Sequence, residues 1–290
     1  MARWFSEPWT DDIKFSVKIN KRIFSKKSKY QKIAFYDSDE LGRFFTLDGY
    51  MMANERDEFI YHEMMIHVPM SVNPEIKSVL VIGGGDGGSV RELTRYASIQ
   101  SIDMVEIDEE VVRTCERYLP LTASKLRDPR VKLLFENGAL YVRETGRKYD
   151  LIVVDSTDPY GAGTELFTAD FYQNCFKLLS SGGILVNQHE SPYFDEMKTI
   201  MQKTHAKLKK IFPIALVYQA FIPTYASGHW LFGFASKKLH PIDNFKPDIQ
   251  KSLNIKTKYY NKKIHIASFA LPNYVKQALI IDNPFFNNIK

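Results

Sequence analysis

The sequence contains no long hydrophobic run and only two cysteines, and these absences exclude several classes of protein. No segment approaches the roughly 18 consecutive apolar residues that a membrane-spanning helix needs. Residues 1–8 contain no apolar segment of the kind found in secretory signals, so we expect a cytoplasmic protein with no membrane contact. Cys115 and Cys175 fall within predicted helices and lack the spacing of metal ligands. They therefore predict buried free thiols and no metal site.

Charge is unevenly distributed along the chain. The formal net charge is +5, but residues 61–236 carry 18 basic and 21 acidic side chains. Residues 237–290 carry ten lysines and three aspartates. Because the lysines of this tail are scattered, they are typical of a solvated surface and do not predict a nucleic-acid partner. The acidic middle of the chain suits a small cationic substrate.

A predicted strand, a glycine-rich turn and the start of a helix lie between Lys77 and Arg91. The apolar, β-branched run from Val79 to Ile82 is typical of a strand buried on both faces. Gly83, Gly85 and Gly88 fit the spacing G-x-G-x-x-G of nucleotide-binding loops, where glycine permits close backbone approach and the helix start offers free N–H groups. The spacing alone does not identify the nucleotide.

Two acidic residues narrow the choice of ligand. Glu106 ends the next apolar segment, about twenty residues further on, where Rossmann-like folds hold a ribose with a carboxylate. Asp86 lies inside the glycine loop, where it would repel a pyrophosphate and attract a cation. We therefore favour a positively charged nucleoside over NAD. The alternative, a tight turn with a solvated Asp86, does not explain so many glycines.

Three motifs together resemble one enzyme family. They are Gly83-Gly-Gly-Asp-Gly-Gly88, Tyr61-His-Glu-Met64 before it and Asp155-Ser-Thr-Asp-Pro159 after it. The combination resembles the spermidine synthases, and the resemblance runs from about Trp4 to Pro272. It implies transfer of the 3-aminopropyl group of decarboxylated S-adenosylmethionine to putrescine, giving spermidine and 5′-methylthioadenosine. It also implies a homodimer or homotetramer that needs no cofactor, since the nucleoside is a co-substrate.

The predicted fold is α/β. Residues 1–60 contain short alternating segments and an Asp48-Gly49 hairpin signal, which predict a small antiparallel β-domain. Residues 61–290 form the predicted catalytic domain, and a predicted helix from Glu58 to Val68, which ends before Pro69, spans its start. Alternating strands and helices follow, and indicate a Rossmann-like sheet of the class I methyltransferase type. The predicted strands are 78–82, 101–106, 131–135, 150–155 and 183–188, with two antiparallel strands near 215–218 and 230–236; the predicted helices are 88–96, 108–118, 138–144, 168–179 and 194–211.

Polar residues follow or end five of the predicted parallel strands. Open α/β sheets place their ligands at this edge, so the five positions together are more specific than any single motif. They are Asp86, Glu106, Asn137 with Gly138, Asp155 with Asp158, and Gln188.

The resemblance implies a role for each candidate residue. An alkyl amine has a pKa near ~10.4 and is protonated at pH 7, so a carboxylate must take its proton before it can attack. Asp155 is assigned this role, and Tyr61 orients the amine. The implied donor nucleoside site comprises Gln31, Gly83, Gly85, Asp86, Glu106, Asn137 and Gly138. The implied amine site comprises His62, Asp86, Asp158, Gln188, Glu190 and Tyr225. Without the resemblance, Gln31 is an exposed strand residue, Tyr61 a core aromatic and His62 an ordinary helix residue.

Departures from the family pattern leave alternatives open. Asn137 stands where the family usually has Asp, so adenine binding is expected to be weaker. Tyr160-Gly-Ala-Gly163, at the family's mobile loop over the site, and Tyr193, where Trp is common, both differ on the acceptor side. Cadaverine or agmatine could therefore be the acceptor.

A methyltransferase using S-adenosylmethionine is a rival, although Asp86 would repel that donor's carboxylate. A non-catalytic nucleoside-binding protein predicts lost amine-site acids, which are present.

Overall fold

The computed structural model describes residues 2–157 and 161–280. Its N-terminal part is antiparallel β-structure, with one pair formed by β1 and β2 and a four-stranded sheet formed by β3 to β6. The predicted hairpin at Asp48-Gly49 joins β5 to β6, and both residues have the positive φ that a type I′ turn requires. The strands are β1 (Arg3–Pro8), β2 (Lys14–Ile19), β3 (Lys21–Lys27), β4 (Lys32–Ser38), β5 (Gly42–Leu47) and β6 (Tyr50–Asn54).

Helix α1 (Glu58–Val72) connects this region to the large sheet and runs through Pro69, so the prediction that it ends before Pro69 is wrong. Proline removes one N–H from the helix and destabilises its interior. Here the residues from Ile60 to Val72 are all buried, and their packing stabilises the helix so that it continues beyond the proline. The carbonyl oxygen of Pro69 still accepts the N–H of Asn73 at 2.9 Å.

The large sheet has seven strands in the order β12-β13-β11-β10-β7-β8-β9, which confirms the predicted Rossmann-like topology. Strands β11, β10, β7, β8 and β9 run parallel, and β13 pairs antiparallel with both β11 and the edge strand β12. The strands are β7 (Ser78–Gly83), β8 (Ser101–Val105), β9 (Val131–Leu134), β10 (Tyr149–Asp155), β11 (Leu179–Gln188), β12 (Ile214–Phe221) and β13 (His229–Ser236).

Hydrophobic packing covers both faces of this sheet. Successive side chains of β7 point to opposite faces, so Val79 and Val81 belong to one core cluster while Leu80 and Ile82 belong to the other. The helices between the strands are α2 (Gly88–Leu93), α3 (Glu109–Tyr118), α4 (Pro120–Ala123), α5 (Gly138–Glu144), α6 (Ala169–Leu178) and α7 (Asp195–Ile211). After β13 come three short helices that the sequence did not predict, α8 (Ile249–Ser252), α9 (Lys262–Ser268) and α10 (Asn273–Ala278).

Strand β10 lies near the middle of the sheet, where its last residue pairs with the first glycine of the loop. Asp155 is in register with Gly83 of β7, and β11 flanks β10 on its other side. The carboxyl ends of these strands therefore meet at one edge, as predicted. Cys115 and Cys175 are buried free thiols, as predicted. Among the described helices, none is long and apolar enough to cross a membrane.

Candidate active site

A cleft of about 1030 Å³ opens at the carboxyl edge of the parallel strands. Its walls come from the large sheet, from α1 and from the N-terminal strands. Twelve of the predicted site residues line it: Gln31, Tyr61, His62, Gly83, Gly85, Asp86, Glu106, Asn137, Gly138, Asp155, Gln188 and Tyr225. Asp158 and Tyr160 lie outside the described residues. The structure thus brings together side chains that are far apart in the sequence.

The glycine loop packs directly against the end of β10. Gly83 has a φ of +80°, and a Cβ atom there would lie 2.2 Å from the carbonyl oxygen of Asp155. The N–H of Gly84 donates to that same oxygen at 2.7 Å. Any larger residue at Gly83 would separate the loop from the strand. The loop and the backbone of Asp155 are therefore held in a fixed relation.

Asp86 of this loop faces a buried histidine. Its Oδ1 atom accepts the N–H of Gly88 at 2.6 Å and lies 3.4 Å from Nε2 of His62. On the other side of the ring, Nδ1 of His62 lies 2.6 Å from Oε2 of Glu58, which also pairs with Arg91. Burial opposes a charge on His62, but Asp86 and Glu58 outweigh it and raise its pKa well above the usual value. His62 is therefore a buried cation between two carboxylates.

Glu106 occupies the predicted ribose position at the end of β8. Its Oε1 atom accepts the N–H of Asp108 at 2.9 Å. Burial raises the pKa of Glu106 to about 7. Asp108, which the sequence analysis did not select, caps α3 and accepts hydrogen bonds from Ser28 Oγ at 2.6 Å and Gln31 Nε2 at 3.1 Å. Gln31 is thus fixed to the large sheet beside the predicted nucleoside site.

Asn137 caps helix α5 instead of presenting a free amide to the cleft. Its Oδ1 atom accepts the N–H groups of Ala139 at 2.8 Å and Leu140 at 3.0 Å. Its Nδ2 atom donates to Oε2 of Glu165 at 3.0 Å. The oxygen that we expected to accept from adenine is therefore already engaged by the helix start. The adenine contact of Asn137 stays a prediction, and Glu165 is a nearby carboxylate that the sequence analysis did not select.

Asp155 receives two hydrogen bonds from hydroxyl groups, one on each carboxylate oxygen. Tyr61 donates to Oδ1 at 2.9 Å, and Ser89 donates to Oδ2 at 2.6 Å. Burial and the negative charge of Asp86 raise the pKa of Asp155, while His62, Ser89 and Tyr61 act in the opposite direction. A carboxylate with a raised pKa is better suited to accept a proton near neutral pH. Ser89 was not among the predicted site residues.

The predicted amine side is built from aromatic rings and amides. The Tyr225 ring lies 5.9 Å from that of Tyr61, and its hydroxyl donates to the carbonyl oxygen of Met52 at 2.8 Å. Gln188 donates to Oε1 of Glu190 at 3.0 Å and accepts the N–H of Glu190 at 3.1 Å. Glu190 is fully buried with a φ of +71°, and it bonds Gln188 instead of standing in the cleft wall that we expected. Its contact with the amine stays a prediction.

Both parts of the chain match one enzyme family. Residues 58–247 match the Spermine/spermidine synthase domain, and residues 3–55 match the Spermidine synthase tetramerisation domain. The chain belongs to the spermine/spermidine synthase family. It is an aminopropyltransferase of polyamine biosynthesis, as the resemblance implied.

Curated relatives and solved structures agree with this family. The polyamine aminopropyltransferase of Alkaliphilus oremlandii is 57% identical over 279 residues, covering 96% of this chain and 98% of the relative. That of Clostridium perfringens is 59% identical over 281 residues, with the same coverage. The crystal structure of a spermidine synthase with the transition state analogue AdoDATO has a TM-score of 0.93 and 41% identity, and covers 96% of each chain. The spermidine synthase of Thermotoga maritima has a TM-score of 0.91, 40% identity and the same coverage.

The mouth of this aminopropyltransferase's cleft is acidic and aromatic. Trp9 from the N-terminal region stacks on Phe15 at 5.7 Å between centroids and lies 6.1 Å from the ring of Phe194. Glu7 accepts the indole N–H of Trp9 at 3.1 Å. Glu7, Trp9 and Phe194 line the cleft, as do Asp11, Asp12, Tyr193, Asp195 and Glu196. Such a mouth suits an alkyl chain that carries a cationic end.

Proposed function

We propose that the enzyme transfers the 3-aminopropyl group of decarboxylated S-adenosylmethionine to putrescine, with Asp155 as the general base. The lone pair of one putrescine nitrogen attacks the methylene carbon bound to the sulfonium. The carbon–sulfur bond breaks, and its electron pair stays on sulfur as the thioether of 5′-methylthioadenosine. Asp155 takes a proton from this nitrogen's ammonium form beforehand, which frees the lone pair for the attack. Because the sulfonium is already an activated leaving group, the proposal includes no metal and no other cofactor.

The position of Asp155 is the single observation that carries this proposal. It ends the strand beside the glycine loop, so its carboxylate faces both the predicted donor side and the amine side. Tyr61 reaches the same carboxylate from α1 and can share a substrate nitrogen with it. The raised pKa of Asp155 brings it closer to that of an amine, which favours proton transfer.

The proposed donor site contains the carboxylates expected for binding a cationic nucleoside. In the proposal, Asp86 holds the ammonium of the aminopropyl group and Glu106 accepts the ribose hydroxyls. Gly83, Gly85 and Gly138 allow close backbone approach, while Gln31 and Asn137 border the nucleoside. A carboxylate at Asp86 discriminates against S-adenosylmethionine, whose own carboxylate it would repel. Holding two cations in line against their repulsion is the main contribution of these acids.

The acceptor side supports a diamine. The proposed amine pocket is formed by Tyr225 and Gln188, with Glu190 bonded to Gln188 and Asp158 of the family motif nearby in sequence. His62, which was expected here, is ion-paired with Glu58 and Asp86, and as a cation it is unsuited to bind an ammonium directly. Acids at the mouth can hold the distal ammonium while the near nitrogen meets Asp155. Putrescine is the proposed acceptor, and cadaverine and agmatine are its competitors. An amine panel with products read by mass decides among them, and a higher kcat/KM for agmatine or spermidine than for putrescine would contradict the proposal.

The base is tested with Asp155→Asn, which is nearly isosteric. Fold and binding of 5′-methylthioadenosine should persist, and the chemical step should fall by roughly 10²–10⁴. A matched control is Asp150→Asn, at the opposite end of the same strand, where the carboxylate accepts from Lys77 N, Ser78 N and Ser180 Oγ. The control should keep the wild-type single-turnover rate.

Two further measurements distinguish loss of the general base from a general loss of negative charge in the cleft. In Asp155→Asn the rate should rise at high pH, because free amine becomes available without the base. Near wild-type kcat in Asp155→Asn, together with a large loss in Asp158→Asn, would assign the base to Asp158 instead. Product analysis with S-adenosylmethionine as donor tests the rival activity, since methylated amine would be its signature.

A further inference from the structure

Ser89 is a fully buried residue in the first turn of α2, directly after the glycine loop. Its Oγ atom donates to Oδ2 of Asp155 at 2.6 Å, across 66 residues of sequence. Serine hydroxyls near helix starts commonly bond to the backbone of their own helix. The hydroxyl of Ser89 instead reaches a carboxylate on a neighbouring strand. This contact is separate from the substrate contacts proposed above.

We infer that Ser89 is a positioning residue for the general base, acting through Asp155 and touching neither substrate. The inference rests on the proposed function, because Ser89 can position the general base only if Asp155 is the group that accepts the proton. Tyr61 bonds the other oxygen, Oδ1, at 2.9 Å. Two donors on two different oxygens oppose rotation of the carboxylate about its Cβ–Cγ bond. The two oxygens turn together because the carboxylate is planar, so the Ser89 bond adds to the restraint that Tyr61 provides.

Ser89 also couples the base to the donor loop. It lies three residues after Asp86, and the turn between them is held by the bond from Gly88 N to Asp86 Oδ1. Gly84 of the loop bonds the backbone of Asp155, while Ser89 bonds its side chain. The carboxylate that meets the amine and the loop that is proposed to hold the donor are therefore joined at two points. This arrangement favours a fixed distance between nucleophile and leaving group.

The electrostatic surroundings predict the direction of the effect. From α1, His62 and Tyr61 face this carboxylate, while Asp86 and Ser89 face it from the loop and α2. Glu106 at the end of β8 also interacts with Asp155 through its charge, and this interaction is the same in every Ser89 variant. A hydrogen bond to the ionised form lowers a carboxylate's pKa, so loss of the Ser89 hydroxyl raises the pKa of Asp155 further. The base then becomes protonated at a higher pH. The acid limb of the rate profile should move in the same direction.

The test is the pH profile of kcat/KM for the acceptor amine in Ser89→Ala and Ser89→Thr. In Ser89→Ala the acid limb should move up by about one pH unit, an approximately tenfold loss of rate below the limb. Ser89→Thr retains the hydroxyl and should restore the wild-type limb. The ionisation of the free amine is the same for every variant, so a difference between profiles belongs to the enzyme. Unfolding is monitored in parallel, and Ser268→Ala is the control, because that buried hydroxyl donates to the carbonyl oxygen of His265.

A double-mutant cycle separates this inference from the proposed function. In the Asp155→Asn background, Ser89→Ala should change kcat by less than about twofold, since the base that it positions is gone. A wild-type pH profile in Ser89→Ala, with Asp155→Asn inactive, would overturn the inference and leave the base assignment standing. Full activity of Asp155→Asn would overturn both. A shifted profile rescued by threonine, together with the expected coupling, would support both.

Discussion

Nucleoside binding should depend on pH through Glu106. Burial raises the pKa of this carboxyl to about 7, so it is neutral below that pH in the free enzyme. Only the ionised form can accept hydrogen bonds from the ribose hydroxyls on both carboxylate oxygens, in addition to the one that Oε1 accepts from the N–H of Asp108. The perturbation is therefore pH itself, and the variant Glu106→Gln provides the comparison.

The expected magnitude follows from the ionised fraction. At a pKa of about 7 this fraction falls from about 0.9 at pH 8 to about 0.1 at pH 6, so affinity should weaken about tenfold. Affinity for the nucleoside should increase with pH, because a raised carboxyl pKa favours the protonated form and binding needs the anion. Binding at pH 7 should also release about half a proton.

Calorimetry with 5′-methylthioadenosine is the appropriate assay. This neutral product keeps the ribose but lacks the sulfonium and the ammonium, so the proposed ammonium contact of Asp86 plays no part in its binding. Measurements in buffers of different ionisation enthalpy report the released proton. Glu106→Gln should bind more weakly at pH 8 and show no pH dependence. An equal Kd at pH 6 and pH 8 for the wild type, or the same slope in Glu106→Gln, would refute the reasoning.

Three other expectations concern donor choice, stability and assembly. Asp86→Asn should narrow the preference for decarboxylated S-adenosylmethionine over the parent compound, and an unchanged ratio of affinities by calorimetry would contradict this. Glu63→Gln should lower the free energy of unfolding by about 2–4 kcal/mol in denaturant titration. The reason is that the Glu63 carboxylate accepts three backbone N–H groups of residues 258–260, each at 2.8 Å. An unchanged free energy of unfolding would contradict this expectation. The intact chain should be a homodimer or homotetramer by light scattering, given its match to a tetramerisation domain, and a monomeric mass at micromolar concentration would exclude both.

The convergence of acids at one sheet edge could be predicted because topology enforces it. Parallel strands linked by helices bring their carboxyl ends together, so Asp86, Glu106 and Asp155 were expected to meet. The predicted boundaries of the alternating strands and helices lie within a few residues of those found. The course of α1 through Pro69 could not be predicted, because the packing that holds it comes from the whole core.

Contacts between distant polar side chains had no sequence signal. Ser89 and Asp155 are 66 residues apart, and Gln31 and Asp108 are 77 apart. No periodicity links such pairs, since each bond depends on how two elements dock. Asn137 shows that a local contact can also be missed. Its residue type allows an adenine contact, but its side-chain oxygen accepts the N–H groups at the start of α5. The sequence therefore identifies which side chains reach the cleft better than it identifies their partners.

Three consecutive residues of α1 serve three different parts of the molecule. Tyr61 bonds Asp155, His62 lies between Glu58 and the donor loop, and Glu63 holds the backbone of the C-terminal segment. Successive helix positions differ by about 100°, so one short motif can face the base, the loop and the opposite side at once. Any shift of this helix moves all three contacts together. Substitutions that loosen the C-terminal segment should therefore be able to disturb Asp155 without touching the cleft.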